Sequence, residues 1–263
     1  MNASVGSLQP ELALQAATVA PFCPEKLNAR LALTSAVLHD AWRVRHDSYV
    51  SQGYLDPRPD GFFQDEYDQD DMSITTVLYH EDVPVASVRV SRHDTDQLAR
   101  GRITMPTFEV FSDVIPDFLA KIGQPGQPAT AAEANRLVCL PEYRKDLRII
   151  SGLFRIAKYL TKYLETDVTF VSARRNHIPI YRRIGFHVAA EPRPYSKLRF
   201  DTALLAAIYP EYETIQRPYP ALSTVRKGDQ WYNALLTGEP VPVFPNGMNP
   251  WRETASTHKL EAA

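Results

Sequence analysis

The sequence predicts an α/β (α+β) chain with a mixed, mostly antiparallel central sheet and helices on both faces. Three observations carry this. Residues 74–91 alternate apolar and polar side chains around a His80-Glu81-Asp82 turn, the period-two pattern of an antiparallel hairpin. Residues 134–173 read as strand, helix, strand, a unit expected to cross over right-handed. A further pair of short strands follows the next helix.

In chain order, residues 1–33 carry scattered apolar residues with Pro10, Pro21 and Pro24, and read as an arm with at most one short helix. Thr34-Ser35 can cap a helix to about Gln52, with Val37, Leu38, Ala41, Trp42, Val44 and Tyr49 on its apolar side. Gly53 and Pro57 end it. Residues 54–72 are polar, acidic and turn-rich. The hairpin strands are Ile74–Tyr79 and Val85–Ser91. The connection from Arg92 to Thr130 is too long to be structureless, so a short helix is expected near Val114–Lys121, with a breaker from Gly123 to Pro128. Ala134–Leu140 is a strand. Asp146 caps a helix to about Glu165, whose apolar face holds Ile149, Leu153, Ile156, Ala157, Leu160 and Leu164. Val168–Ala173 is a buried strand and His177–Ile184 a short helix ended by Gly185. Phe186–Ala190 and Lys197–Phe200 form the last strand pair, and a helix is expected from Asp201 to about Ile208. The organisation is an arm (1–33), one domain (34–204) and a Pro- and aromatic-rich extension (205–263), packing on the core or partly flexible.

Composition bounds the class. The chain has 263 residues, 44% hydrophobic and 23% charged, with 29 basic and 31 acidic side chains. This is ordinary globular usage and excludes collagen-like, coiled-coil and wholly disordered readings. Apolar runs are too short for a transmembrane segment, leaving at most weak contact with a membrane surface. No basic segment precedes the first apolar residues, and two cysteines are too few for a disulfide scaffold, so a (bacterial) cytoplasmic setting is expected. Charge is unevenly placed. Residues 54–82 carry nine acids and one base, and residues 136–199 carry fourteen bases and five acids, balances of −8 and +9. These fields either neutralise each other in the fold or receive an acidic partner and a cationic one.

Four pieces resemble the GCN5-related N-acetyltransferase superfamily: Arg136-Leu-Val-Cys-Leu-Pro-Glu-Tyr-Arg144, the helix after it, the strand Val168–Ala173, and Ile180-Tyr-Arg-Arg-Ile-Gly-Phe186. Where that superfamily places Gly-x-Gly to cradle the coenzyme A pyrophosphate, this chain has Arg144-Lys-Asp-Leu-Arg-Ile-Ile-Ser151, without either glycine. A second pattern is Arg45-His-Asp-Ser-Tyr49, Asp65-Glu-Tyr-Asp68, Arg89 in a strand and Glu133-Ala-Asn-Arg136. It resembles the acyl-homoserine-lactone (autoinducer) synthases. The overall resemblance, over about residues 37–200, is nearest to the N-acyl amino acid synthases, which share an acetyltransferase-like fold and acylate a free amino acid.

That resemblance implies an N-acyltransferase moving a long-chain fatty acyl group from acyl carrier protein to the α-amine of an amino acid. It implies no permanently bound cofactor, the acyl-phosphopantetheine of the carrier being the donor. Aminolysis of a thioester needs a neutral amine, donors for the carbonyl oxygen and a proton for the leaving thiolate. Glu133 is the candidate base, or it simply pairs with Arg136 or Arg89. Tyr181 matches the family's acid. Arg45, Tyr49, Asp65, Asp68 and Arg89 would form a network under the acceptor site. The backbone of Leu137, Val138 and Cys139 would meet the thioester if a bulge frees an amide. In a regular strand Glu133 and Arg136 point to opposite faces, so only a bulge brings them together. Cys139 reads as a small buried residue rather than a nucleophile.

Phe108, Phe111 and Phe118 are the expected walls of an acyl-chain cleft between the sheet and the 92–130 connection, or they simply cap the core. Arg148, Arg155, Lys158 and Lys162 form one helical stripe which, with Arg144, Arg174, Arg175 and Arg182, is the expected carrier-protein surface; a solvated helix face is the plainer reading. The histidines lack metal-ligand spacing, so no metal is expected, and no nucleic-acid motif is present. The alternatives are an acyl-homoserine-lactone synthase, a coenzyme-A-dependent acetyltransferase, and a catalytically degenerate protein that binds acyl chains or acyl carrier protein.

Overall fold

Among the residues described by the computed structural model (26–245, with 248 and 250), eight strands form one sheet. They are β1 (Leu27–Leu31), β2 (Ser73–His80), β3 (Val83–Arg92), β4 (Ala131–Cys139), β5 (Val168–Ala173), β6 (His187–Tyr195), β7 (Phe200–Ile208) and β8 (Val241–Pro242). Their order is β6-β7-β5-β4-β3-β2-β1-β8. Only β4 and β5 run parallel; every other pair is antiparallel. This is the expected acetyltransferase-like mixed sheet. Residues 1–25 of the expected arm (1–33), with Cys23, and the end of the extension lie outside the described residues.

Helices cover both faces. α1 (Ser35–Val50) starts as expected, with Thr34 Oγ1 accepting from the Val37 amide. The long connection holds three short helices, α2 (Thr95–Ala99), α3 (Phe108–Phe111) and α4 (Ile115–Ile122). α5 (Leu147–Tyr163) buries Ile149, Leu153, Ile156 and Leu160 against the opposite face. Each such side chain contributes roughly 1.5–3 kcal/mol of apolar transfer. Gly152 lets α5 close on the sheet, because a Cβ there would lie 3.0 Å from Val243 and 3.2 Å from Leu78. α6 (Ile178–Arg183) follows β5. Then α7 (Glu211–Ile215), α8 (Pro220–Ser223) and α9 (Gln230–Leu236) lead to β8, which joins the sheet beside β1.

Three expectations are corrected. Residues 27–31 form a strand, not arm or helix. β6 runs on to Tyr195. Residues 201–208 are strand, not helix. Their Ala and Leu favour a helix intrinsically, but both faces of β7 are buried: Ala203, Leu205 and Ala207 pack toward α5, Leu204 and Ala206 toward Phe111 and Phe170. A strand buried on both sides reads as a continuous apolar run, and tertiary burial overrides local propensity.

Two irregularities in β4 position the site. Asn135 pairs with Arg89 and Val138 with Ser87, so Arg136 and Leu137 together oppose Val88 alone. This is a β-bulge, with Arg136 at φ +50°. Further, β4 and β5 pair only over Ala131–Glu133 and Val168–Phe170 and then separate. The facing edges beyond Glu133 have no partner strand.

Candidate active site

The gap between β4 and β5 opens into a cavity of about 280 Å³. Its walls come from β4, the C-terminal end of α1, the start of α5, the end of β5 and α6. Tyr49, Glu133, Arg136, Leu137, Val138, Cys139, Arg144, Arg174 and Tyr181 all line it, as do Pro106 and Tyr195.

Glu133 is fully buried. Its Oε2 accepts from the Thr107 amide (2.8 Å) and from Thr107 Oγ1 (2.9 Å). Its Oε1 has no hydrogen-bond partner among the described residues. Burial pushes the carboxyl up to about 7, against the Thr107 donors and the charges of Arg89 and Arg136. A carboxylate poised near neutrality, with one unpaired oxygen and on a residue that lines a cavity, suits proton abstraction. Direct pairing of Glu133 with Arg89 or Arg136 does not occur.

The bulge puts Arg136 on the same face as Glu133. There Arg136, Arg89 and Arg45 enclose two carboxylates. Arg136 Nη2 donates to Asp65 Oδ2 (2.6 Å) and Arg89 Nη1 to Asp65 Oδ1 (2.5 Å) and Asp68 Oδ1 (2.8 Å). Arg45 Nη1 donates to Asp68 (2.5 Å). Burial acts to raise the Asp65 pKa, but Arg136 and Arg89 outweigh it and hold the carboxyl well below the ordinary range. Asp68 reciprocally caps Asp65, the two closing one turn of 3-10 helix. Arg89 Nε also donates to Asn135 Oδ1 (2.7 Å), and Arg136 Nη2 to Tyr195 Oη (2.9 Å). The acidic loop is therefore bound to β3 and β4 beneath the cavity. The expected network of Arg45, Asp65, Asp68 and Arg89 is present as a support, while Tyr49 reaches the cavity itself.

On the other side, Leu140 N–H donates to Val85 O. Strand alternation then turns the amide of Val138 toward β3 and that of Cys139 toward the gap. Tyr181 sits between Phe154 and Phe186, edge to face at 5.4 Å with each, and burial raises its pKa so that it keeps its proton. Burial also pushes the Cys139 thiol up to about 11, so it is not a thiolate nucleophile near neutrality. Among the described residues, no group of three or more His, Cys, Asp or Glu has a geometry that could hold a metal ion.

Other expected site residues fall elsewhere. Phe108 and Phe111 are buried with Phe170, Leu204 and Ala206 in a closed core cluster, and Phe118 packs on Phe170. These three phenylalanines fill the core and do not line the cavity, to which the 92–130 connection contributes only Pro106. The helical stripe is not a free surface either. Arg155 is 1% exposed and donates to Tyr232 Oη (2.5 Å), Ala221 O and Thr224 Oγ1. Lys158 is buried against Gln216 and Glu213, and Lys162 pairs with Glu213. Residues 211–232 cover the face that the sequence left open. Arg148 folds back on Asp146 (2.6 Å).

Arg144 and Arg174 do reach the cavity, and among the described residues their hydrogen-bond partners are all neutral. Arg144 Nη2 donates to Ser48 O (3.1 Å), and Arg174 contacts Tyr54 Oη, Gln52 and His177. Burial, with the Arg174 charge, holds His177 down to about 4, so its ring is neutral. Arg175 and Arg182 are exposed nearby. Sequence reasoning missed Thr107, Asn135 and Tyr195. Asn135 sits inside the Glu133–Arg136 motif and was findable there; Thr107 and Tyr195 carry no local signal.

The family described as "N-acyl amino acid synthase FeeM" matches residues 40–208. Among solved structures, FeeM, an N-acyl amino acid synthase from uncultured soil microbes, is 15% identical, covering 72% of this chain and 93% of that one with a TM-score of 0.58. A CoA-dependent acyl-homoserine lactone synthase, BjaI, solved with MTA, is 19% identical over 70% of this chain and 82% of its own (TM-score 0.48). A putative N-acetyltransferase from Lactobacillus plantarum is 13% identical over 69% and 97% (TM-score 0.47). No curated protein matches the chain.

Proposed function

The chain belongs to the N-acyl amino acid synthase FeeM family, and from that premise we propose that it transfers a long-chain fatty acyl group from acyl carrier protein to the α-amine of an amino acid. The observation that carries this reading is Glu133: a buried carboxylate with one oxygen clamped and the other unpaired, on a residue that lines the cavity where β4 parts from β5. Glu133 Oε1 takes a proton from the acceptor's ammonium. The neutral amine attacks the thioester carbonyl, whose oxygen is met by the backbone amide of Cys139 on the open edge of β4. The carbon–sulfur bond breaks and an amide forms as Tyr181 donates a proton to the leaving thiolate; the second proton of the attacking nitrogen makes good the one Tyr181 gave, and the first departs from Glu133 to solvent. Arg136 and Arg89 hold the supporting loop.

A carrier-bound donor is favoured over free coenzyme A by the start of α5. There Asp146 Oδ1 accepts from the Arg148 amide (2.9 Å), placing a carboxylate where a diphosphate would need donors. Arg144 and Arg174, without carboxylate partners, suit the single phosphate of phosphopantetheine, and exposed Arg175 and Arg182 suit an acidic carrier. No resident cofactor enters the scheme. The acyl chain lies along the apolar wall formed by Leu153, Phe154 and Ile180.

The test is turnover with acyl carrier protein and acyl-coenzyme A at equal concentration, each with mixed amino acids, and mass spectrometry of the products. An N-acyl amino acid formed mainly from the carrier supports the reading. Equal turnover of both donors removes the carrier claim, a lactone from S-adenosylmethionine assigns the alternative chemistry, and no product leaves a binding protein.

A further inference from the structure

Thr107 stands just before α3, at the position where a Thr usually turns its oxygen back to an amide of its own helix. It makes no such cap. Its hydroxyl and its backbone amide instead converge on one atom, Glu133 Oε2, at 2.9 and 2.8 Å, twenty-six residues away in sequence. The segment is firmly held. Thr107 is fully buried, its carbonyl accepts from the Val110 and Phe111 amides, and Met105, Phe108 and Phe111 anchor it in the core. Glu109, two residues on, accepts from Tyr67 Oη (2.7 Å) and Lys197 Nζ (2.7 Å), which ties the segment to the acidic loop and to the β6–β7 turn. A fully buried carboxylate would normally satisfy both oxygens. Here both donors are spent on one oxygen, and the other, on a residue that lines the cavity, has no partner among the described residues.

We propose that Thr107 is a positioning residue for the acylation: by clamping Oε2 from two directions it fixes the carboxylate plane and leaves Oε1 as the single proton acceptor presented to the acceptor amine. The inference rests on the reading of Glu133 as the base. It assigns a role to the 92–130 connection different from the acyl cleft expected of it. Because the donors stabilise the charged form, they also set the pH at which Glu133 becomes a base.

The test compares Thr107→Val, which keeps shape and loses the hydroxyl donor, with Thr107→Ser, which retains it. In the pH profile of kcat/KM with acyl carrier protein as donor, Thr107→Val should move the acid limb up by about one pH unit. The rate below the limb then falls about tenfold, recovers at high pH, and leaves the carrier KM unchanged. Thr107→Ser should keep the parent limb. A loss by the same factor at every pH, or an unmoved limb, overturns the proposal. A second measurement needs no turnover: difference infrared titration of the Glu133 carboxyl, identified by its absence in Glu133→Gln, should show the same upward shift in Thr107→Val, or in Thr107→Ala if the valine variant does not fold. An unshifted band overturns the proposal. If Glu133→Gln turns over like the parent, the base reading itself falls; if Glu133→Gln is slow but the Thr107 limb and band stay put, only the positioning role falls.

Discussion

Replacing Glu133 by glutamine keeps the side chain's shape and removes its charge. The amide oxygen can take both Thr107 donors, and the NH2 then faces the cavity in place of Oε1. In the parent, burial lifts this carboxyl from 4.5 to about 7. The folded protein holds the proton more tightly than the unfolded chain does. The resulting stabilisation is fully present below about pH 4.5 and is lost as pH rises through 7. The interval corresponds to about 3 kcal/mol at about 1.36 kcal/mol per pH unit. Glutamine has no charge to bury and suffers no such loss. Glu133→Gln should therefore melt above the parent at pH 8, by up to about 6–12 °C for a domain of this size, and converge with it below pH 5. Turnover should move the opposite way. At pH 8, kcat falls at least about tenfold while the carrier KM holds, and higher pH partly restores the rate as the free amine loses its own proton. Thermal melts from pH 4.5 to 8.5, beside single-turnover rates on the same samples, give both readouts. Superimposable melts across that range refute the buried, neutral-poised carboxyl, and parent-like turnover refutes the base.

Four further outcomes follow from the geometry. Asp65→Asn removes the shared partner of Arg89 and Arg136 and should cost about 3–5 kcal/mol in urea denaturation, because the buried Arg136 guanidinium loses its counter-charge and Arg89 is left to share Asp68 with Arg45. Arg155→Ala should destabilise by about 2–3 kcal/mol by removing the buried donor to Tyr232 Oη, Ala221 O and Thr224 Oγ1, with the carrier KM unchanged in the folded fraction; a raised KM would restore Arg155 to the docking surface. Arg175→Glu with Arg182→Glu should raise the carrier KM several-fold, more at low salt, with an unchanged melt, since exposed charges act mainly on association. Gly152→Val should cost about 1–3 kcal/mol by overpacking against Val243 and Leu78, read as a lower urea midpoint.

Much of the site was legible in the sequence because its motifs are short and lie on regular elements. Glu133-x-x-Arg136 and the parity rule of strands together made a bulge the condition for bringing both side chains to one face, and Arg136 at positive φ meets that condition. The acidic loop was legible as a partner for strand arginines through its charge density. Other parts depended on what covers what. The Arg155–Lys158 stripe has the periodicity of a solvated face, and only the packing of residues 211–232, which lack periodicity themselves, buries it. Phe108 and Phe111 are apolar for the core and not for a ligand, a distinction that sequence does not encode. Residues 201–208 read as helix because Ala and Leu propensity is local, whereas their burial between two layers is not. Thr107 was invisible because its partner lies twenty-six positions away with no pattern linking the two.

The sheet ends in β6 on one side and β8 on the other, and both carry prolines where a ninth strand would have to attach. Pro192 and Pro194 stand two residues apart in β6, so any amides they had would face the same side; Pro242 ends β8, whose pairing with β1 spans only Asn28–Pro242 and Ala29–Val241. Each N–H missing from a strand edge weakens it as a template for another chain. Among the described residues these prolines thin the row of N–H donors that a further strand would need at either margin, while the cavity between β4 and β5 lies in the interior of the sheet, away from both margins.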